Sequence, residues 1–320
     1  MIVPEPSSIP RKDIDRLLEA LDVNFVRLAE CLVSAGHHLT FKALDAPALH
    51  HTLEGDGWLQ VDGQEPIKLR PNTLVMVPPG HSFTFTGPGQ PPRHQFDAPS
   101  SSLDAEGLQK FVVGNSPPRL HLICGYFRAG YGLGINPFAT PGPVLVEQFE
   151  DQLLPATLLQ GALAELAANE AGAHTVTGLL LKQLLITLVR RSMASGQAWG
   201  QRFSALGDVR IARAFSEMVS RPGAPHTIAS LAQHAALSRS AFQARFTSLF
   251  GTSPMHALRQ LRMKKALALL AGGALSIEQI SHMVGYASRS SFIRAYREVF
   301  GHNPGADSPA SVSRNPAALP

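Results

Sequence analysis

The sequence predicts a multidomain α+β protein in which a strand-rich half precedes an all-helical half. Residues 24–127 consist of apolar segments of four to eight residues that turn residues separate, a pattern typical of short β-strands. The C-terminal third instead contains a repeat, because residues 227–254 and 277–304 are two copies of one motif. A chain of 320 residues is long enough for two domains with separate cores.

The repeat is clearest where SRSAFQARFTSLFGTSP, residues 238–254, aligns with SRSSFIRAYREVFGHNP, residues 288–304, at an offset of 50. Each copy predicts a short helix, a tight turn and a second, amphipathic helix that begins after a capping Ser and ends at a Gly. The first helix of each copy follows its own cap, Thr227 or Ser276, and Gln279 completes a capping box with Ser276. The sequence therefore predicts two helix-turn-helix units, with recognition helices at 238–250 and 288–300.

The outward faces of the two recognition helices predict DNA binding. Arg pairs with guanine and Gln with adenine in the major groove, and two basic outer faces favour DNA over the alternative of two solvated helical hairpins. The candidate DNA-contacting residues are Arg239, Ser240, Gln243, Ala244 and Thr247 in the first copy and Arg289, Ser290, Arg294 and Arg297 in the second.

Residues 258–270, between the two copies, predict one helix of thirteen residues, or roughly 20 Å. We expect this helix to space the two recognition helices about one DNA turn, ~34 Å, apart. Its basic residues, Arg262 above all, are candidate phosphate contacts, and a solvated helix face is the alternative. The charges agree, since residues 208–306 hold 12 Lys/Arg against 4 Asp/Glu while residues 1–207 hold 15 against 19. Only the basic part suits double-stranded DNA as a partner.

The C-terminal third resembles the AraC/XylS family of bacterial transcription regulators. The resemblance rests on the doubled motif, the ArgMetLysLysAla segment at 262–266, the MetValGlyTyrAlaSer turn at 283–288 and the PheGlyXxxXxxPro endings. It implies that the second helix of each unit enters the major groove, that Arg294 reads a base and that Arg297 contacts a phosphate. Two departures are Ala244, where relatives often carry a long polar residue, and the absence of the family's aromatic-Arg ending after Pro304.

The N-terminal half is similar to the cupin-type sensor domain that many AraC-like regulators carry. LeuGluGly at 53–55, ProProGly at 78–80 and LeuIleCysGlyTyrPhe at 122–127 carry this likeness, which implies a β-barrel. Enzymatic cupins bind a metal through His and Glu, but the corresponding positions here hold Lys42, Leu44, Ala48 and Phe83. We therefore expect no metal, no cofactor and no enzyme activity, and a metal-dependent cupin enzyme with an appended DNA-binding module is the alternative function.

A barrel without metal can still hold a small molecule, so an unknown small-molecule effector is expected. The candidate ligand-binding residues are His51, Trp58, Phe83 and Phe85, and membership of the core is the alternative for each of them. The helical residues 155–193 that follow carry apolar side chains on more than one face. That pattern allows either complete burial or a homodimer.

These features divide the chain into a cupin-like ligand-sensing domain, a helical dimerisation segment, a linker, a double helix-turn-helix domain and a disordered tail. Their predicted ranges are 1–150, 151–195, 196–207, 208–304 and 305–320. The first residues lack the apolar stretch of a signal peptide, the most apolar segment, 176–189, is too short to span a bilayer, and the two cysteines lack metal-type spacing. We expect a cytoplasmic, ligand-responsive, sequence-specific activator that partners with RNA polymerase and not with a membrane.

Overall fold

The computed structural model of the chain describes residues 9–88, 101–103, 109–138, 143–149, 153–195 and 208–308. The chain divides into two compact units. The sheet unit contains Asp22–Ala129 and Phe138–Arg202, and the helical unit contains Met1–Leu21, Gly130–Pro137 and Phe203–Pro320. The predicted linker, 196–207, lies outside the described residues.

The sheet unit contains the predicted short strands, arranged in two sheets. The seven-stranded sheet has the order β11-β6-β3-β10-β1-β9-β8, and the four-stranded sheet has the order β2-β7-β4-β5. Strands β1 and β9 are parallel, whereas the β3–β10, β3–β6 and β4–β7 pairs are antiparallel. The strands are β1 (Asp22–Ser34), β2 (His38–Phe41), β3 (Ala48–Gly55), β4 (Gly57–Val61), β5 (Ile67–Leu69), β6 (Thr73–Val77), β7 (Phe83–Thr86), β8 (Ser101–Leu103), β9 (Gln109–Val113), β10 (Pro118–Gly130) and β11 (Leu145–Gln148).

Side chains from both sheets meet in one apolar core, because alternate residues of each strand point to the same side. Two helices complete the sheet unit, α2 (Leu154–Ala168) and α3 (Ala173–Ser195), which pack on each other, and α3 also packs on β1. The apolar face of α3 that contains Leu181, Leu184, Leu185 and Leu188 is buried, while Leu179 remains 61% exposed. None of the helices within the described ranges combines the length and the hydrophobicity that crossing a bilayer requires.

The helical unit begins with a segment from the N-terminal end of the chain. The helix α1 (Arg11–Ala20) packs on α4 (Val209–Ser220), which the sequence pattern had not indicated. The other helices are α5 (Ile228–His234), α6 (Arg239–Phe250), α7 (Pro254–Ala271), α8 (Ile277–Met283) and α9 (Arg289–Phe300), followed by a 3-10 turn at Pro304–Asp307.

This division differs from the sequence-based boundaries of 1–150 and 208–304, because α1 and residues 130–137 pack within the helical unit. The Ser216 hydroxyl donates a hydrogen bond of 2.7 Å to the buried Asp13 carboxylate, and Arg16 pairs with Glu217 at 3.2 Å. The rings of Tyr131 and Phe215 lie edge to face with centroids 5.0 Å apart. These contacts join residues far apart in sequence, so a local pattern could not reveal them.

The beginning of the predicted disordered tail is ordered in the structure, which corrects the range of 305–320. Residues 305–307 belong to the 3-10 turn, and the Tyr296 hydroxyl donates a hydrogen bond to the Asp307 carboxylate. Burial and this acceptor raise the pKa of Tyr296. The residues that replace the family's usual ending therefore anchor the end of α9, and residues 309–320 lie outside the described part of the chain.

Candidate nucleic-acid interface

The first helix-turn-helix unit consists of α5 and α6. A capping box of Thr227 and Ser230 begins α5, and the Ser238 hydroxyl accepts a hydrogen bond from the backbone N–H of Ala241 at the start of α6. Phe242 and Phe246 are buried, so α6 is held by one face. The helix ends at Gly251, whose φ of +67° is the left-handed conformation that favours glycine.

The second unit repeats this construction with α8 and α9. Ser276 and Gln279 form the predicted capping box, and Ser288 caps α9 through the backbone N–H of Ser291. Phe292 and Tyr296 are fully buried at the positions of the two Phe residues of α6. The connecting helix α7 is longer than predicted, with 18 residues instead of thirteen, because Pro254 occupies its first turn and Ser253 caps it.

The structure exposes nine of the ten sequence-predicted DNA-contacting residues on the two recognition helices. On α9, Arg289 and Arg294 are exposed, and in the described part of the chain neither guanidinium has a hydrogen bond or ion pair. Arg297 is also exposed, but it donates two hydrogen bonds to the Asn303 side-chain oxygen, at 2.6 and 3.2 Å. The exposed candidates are Arg239, Ser240, Gln243, Ala244, Thr247, Arg289, Ser290, Arg294 and Arg297.

Arg262, the tenth candidate, makes contacts inside the helical unit, whereas its sequence position suggested a contact with a DNA phosphate. Its side chain is half-buried and donates hydrogen bonds to the carbonyl oxygens of Pro222, at 2.9 Å, and Ala224, at 3.0 Å. The guanidinium carbon also lies 5.7 Å from the ring centre of Tyr286, and burial lowers the pKa of Arg262. Because these contacts link the loop after α4 to the turn of the second unit, Arg262 acts as an internal clamp.

Gly285 in the turn of the second unit makes room for this clamp. A Cβ at this position would lie 2.6 Å from the Gly223 carbonyl oxygen and 2.8 Å from the Arg262 guanidinium, and its φ is +86°. Only glycine satisfies both the close approach and the left-handed backbone. The MetValGlyTyrAlaSer turn therefore contributes to the packing of the whole helical unit.

We expect Arg262→Met to lower the free energy of unfolding of the full chain by about 1–3 kcal/mol, because two partly buried carbonyl oxygens lose their donors. Chemical denaturation measures this loss. Arg259→Met is the matched control, since the exposed Arg259–Glu298 ion pair contributes less than about 1 kcal/mol. The salt dependence of DNA binding should stay unchanged in Arg262→Met. A slope reduced by about one, with unfolding unaffected, would restore the phosphate-contact role.

The interior of the sheet unit contains a cluster of aromatic side chains around one histidine. His50 lies with its ring centre 4.7 Å from that of Phe83 and 4.9 Å from that of Phe85. Phe41 stacks on Phe83 at 5.3 Å. Both ring nitrogens of His50 are buried without a hydrogen-bond partner, and burial lowers its pKa to about 3. Phe83 and Phe85, two of the predicted ligand-binding residues, thus lie in this interior.

The other two ligand-binding candidates lie outside this cluster. His51 follows His50 in β3 and, because side chains alternate along a strand, projects from the opposite face of the sheet. Trp58 alternates with the core residues Leu59 and Val61 in the same way and carries the Lys68 ammonium 4.9 Å from its ring centre. His50 is therefore the histidine that faces the interior, and the sequence could not fix which of the two neighbours does so.

The structure also bears on the metal prediction. In the described ranges, no group of three or more His, Cys, Asp and Glu side chains is arranged to hold a metal ion. Lys42 and Leu44, at two of the expected cupin ligand positions, follow β2, and Ala48 and Phe83 belong to the apolar core. The residues present therefore do not fit the metal of an enzymatic cupin.

Comparisons with known proteins agree with this geometry. The profile of a helix-turn-helix domain matches residues 231–307, and the profile of a cupin domain matches residues 14–194. The first range covers α6, α7 and the whole second helix-turn-helix unit, and the second covers the described part of the sheet unit almost completely, together with part of α1. Together they define a DNA-binding transcription regulator with a cupin domain.

Similar proteins are named as transcription regulators. The HTH-type transcriptional regulator AlkR of Acinetobacter baylyi is 30% identical over 278 residues, 82% of this chain and 87% of AlkR. The RCS-specific HTH-type transcriptional activator RclR of Escherichia coli is 36% identical over 151 residues, 46% of this chain and 53% of RclR. The crystal structure of the AdpA DNA-binding domain in complex with a target DNA is 26% identical, covering 33% of this chain and 96% of that domain with a TM-score of 0.31. The chain belongs to the AraC family of transcription regulators with a cupin domain, which confirms the predicted fold class and the prediction of a DNA-binding transcription regulator.

Proposed function

We propose that the chain is a sequence-specific activator that reads two adjacent major-groove segments with α6 and α9 as a homodimer. The observation that carries this proposal is the pair of capped helices, each held by a buried aromatic face and each exposing its polar and basic residues. Arg294 and Arg289 on α9 keep their guanidinium groups available for base edges, and Gln243 on α6 is exposed for an adenine. RNA polymerase is the expected protein partner of an activator.

The exposed apolar side chains of α3 support the homodimer. Leu179 is 61% exposed and Val176 is 38% exposed on the helix whose opposite face is buried. Such residues are costly to leave in water and are typical of subunit contacts. We place the dimer contact on this face of α3.

The sheet unit supports a response to a small-molecule effector. His50 offers two buried ring nitrogens without partners, surrounded by Phe83 and Phe85. A buried polar group without a hydrogen bond is costly, and a ligand that bonds to it recovers that cost. We therefore propose His50, Phe83 and Phe85 as the effector-facing residues, with His50 in place of His51.

A titration of the full chain with duplex DNA at several salt concentrations tests the proposed DNA-binding surface. If α6 and α9 place their basic side chains on phosphates and bases, the logarithm of the association constant should fall linearly with the logarithm of salt concentration. Charge reversal at one exposed residue of α9, Arg289→Glu, should weaken binding at every salt concentration. Unchanged binding in that variant would contradict the assignment of α9.

The chain is proposed to have no enzyme activity, and the alternative is a metal-dependent cupin enzyme with a DNA-binding module. The apolar residues at the expected ligand positions support the first function. Metal analysis of the purified chain distinguishes the two, because about one tightly held transition-metal ion per chain would favour the enzyme.

A further inference from the structure

One side chain on the outer strip of α9 is apolar. Helical periodicity places five residues of α9 on this strip, which are Arg289, Ser290, Ile293, Arg294 and Arg297. Ile293 lies one turn from Arg289 and from Arg297, and directly next to Arg294 in the chain. The other four residues of the strip are polar and exposed, whereas Ile293 is half-buried. The strip therefore presents an apolar position among basic ones.

The core of the second helix-turn-helix unit holds the Ile293 side chain in place. Ile293 packs against the buried cluster that contains Phe292 and Tyr296. A β-branched side chain in a helix also has one strongly preferred rotamer, so its methyl groups have a defined position. One part of the side chain is thus held by the core, and the other part remains accessible beside Arg294. A surface fixed in this way loses little conformational entropy when a ligand covers it.

The first unit carries a different kind of residue at the corresponding position. Gln243 of α6 aligns with Ile293 at the offset of 50 that relates the two copies, and its side chain is exposed. The amide of Gln243 has the donor and the acceptor that adenine N7 and N6 require. The side chain of Ile293 has neither a donor nor an acceptor. The two recognition helices therefore differ in the chemistry that they offer to a base at equivalent positions.

Thymine has the base edge that suits an aliphatic side chain in the major groove. It carries its C5 methyl group there, whereas the other three bases present hydrogen-bonding atoms and no methyl group. Covering such atoms with Ile293 would remove their water without supplying a partner, which is costly. Burying the thymine methyl group against the same side chain is favourable, because both surfaces are apolar. Attraction to thymine and the penalty at other bases thus act in the same direction.

We propose that Ile293 is a specificity-determining residue that contacts the C5 methyl group of a thymine in the major groove, beside the base that Arg294 reads. This inference rests on the proposed function, because it requires α9 to enter the groove. Since a guanidinium pairs best with guanine, the second unit prefers a thymine next to a guanine. The first unit prefers an adenine through Gln243, so the two halves of the DNA site differ in sequence.

Replacement of thymine by uracil tests this contact, because uracil lacks only the C5 methyl group and keeps every hydrogen-bonding atom. A preferred site is first selected from random DNA duplexes with the full chain. Each thymine of that site is then replaced by uracil in turn, and the affinity is measured at one salt concentration. We expect one replacement to weaken binding of the wild type about fourfold, which is the factor for burying one methyl group.

Two variants of α9 assign this effect to a residue. Ile293→Gln gives α9 the residue that α6 carries at the same position, and the uracil effect at that thymine should disappear. If this variant fails to fold, Ile293→Ala serves instead and should also lose the effect. Val299→Ala is the matched control, because Val299 is half-buried and packs against the same cluster but lies outside the outer strip. It should keep the full uracil effect, although it also removes apolar contacts from the core.

The possible outcomes separate this inference from the proposed function. A preferred site without any uracil-sensitive thymine would overturn the role of Ile293 and leave the proposed function intact. A uracil effect that persists in the Ile293 variants would assign the methyl contact to another residue. Loss of the effect in Val299→Ala as well would show that the core, and not a direct contact, controls it. Failure to select any preferred site would instead contradict the proposed function itself.

Discussion

Lowering the pH from 7.5 to 5 is expected to reduce the free energy of unfolding of the sheet unit by about 4 kcal/mol through two histidines alone. Burial lowers the pKa of His50 to about 3 and that of His51 to about 4, whereas both lie near 6.5 in an unfolded chain. The folded protein therefore keeps both rings neutral while the unfolded chain binds protons. Above pH 6.5 the two histidines do not lower the free energy of unfolding. As the pH falls below 6.5, the unfolded chain gains protons that the folded chain does not bind, so each residue lowers the free energy of unfolding by about 2 kcal/mol at pH 5.

Denaturant titrations at the two pH values, followed by the fluorescence of Trp58 in a Trp199→Phe background, measure this effect. The double variant His50→Leu, His51→Leu removes both groups and should show a much smaller pH dependence than the wild type. His174→Ala, at an exposed position of α3, is the matched control and should retain the full pH dependence. Equal pH dependence in the double variant and the wild type would show that the two rings are not the source.

Replacing Arg294 is expected to remove sequence discrimination. Arg294→Ala should lose a bidentate contact with a base, at a cost of about 1–3 kcal/mol on the preferred site and little on random DNA. Arg294→Lys is the sharper variant, because it keeps the charge and loses the planar fork. It should therefore lose discrimination while the salt dependence of binding stays the same. Competition titrations against preferred and scrambled DNA at two salt concentrations measure both quantities.

Arg297→Ala provides the matched comparison three residues further along α9. Its guanidinium is held by Asn303 at the C-terminal end of the helix, which suits a phosphate contact better than a base contact. We expect similar losses on both DNAs and a salt dependence reduced by about one. If Arg294→Ala also weakened both DNAs equally, the second unit would only position the protein, and specificity would have to come from Arg239, Ser240 and Gln243.

The sequence was most informative where the structure is local. The caps at Ser238, Ser276 and Ser288, and the turns at Gly251 and Gly301, each depend on residues within one helical turn, and the repeat shows them twice. The exposed faces of α6 and α9 follow from the same periodicity. Helical spacing was therefore enough to predict the recognition helices nearly to the residue.

The sequence was less informative where burial depends on distant contacts. Arg262 is a basic residue on the connecting helix, as expected of a phosphate contact. It is a clamp because its guanidinium donates hydrogen bonds to the loop at Pro222–Ala224, about forty residues away in sequence. The orientation of His50 and His51 depends on where β3 begins, and a shift of one residue exchanges their faces. The direction of the Trp58 side chain depends on strand register in the same way. Helix α4 and its partner α1 gave no repeated signal that could pair them.

The segment boundaries carry a consequence for anyone who wants to separate the two halves of this regulator. The chain passes between the units after Leu21, after Ala129 and after Pro137, as well as in the stretch before α4. A protease that cuts only in that last stretch leaves the halves joined at three other points. A fragment that begins near residue 208 lacks the helix and the loop that cover Phe215. Segments of the two units therefore alternate along the chain. Transferring the DNA-binding unit to another protein requires all three of its segments, Met1–Leu21, Gly130–Pro137 and Phe203–Pro320.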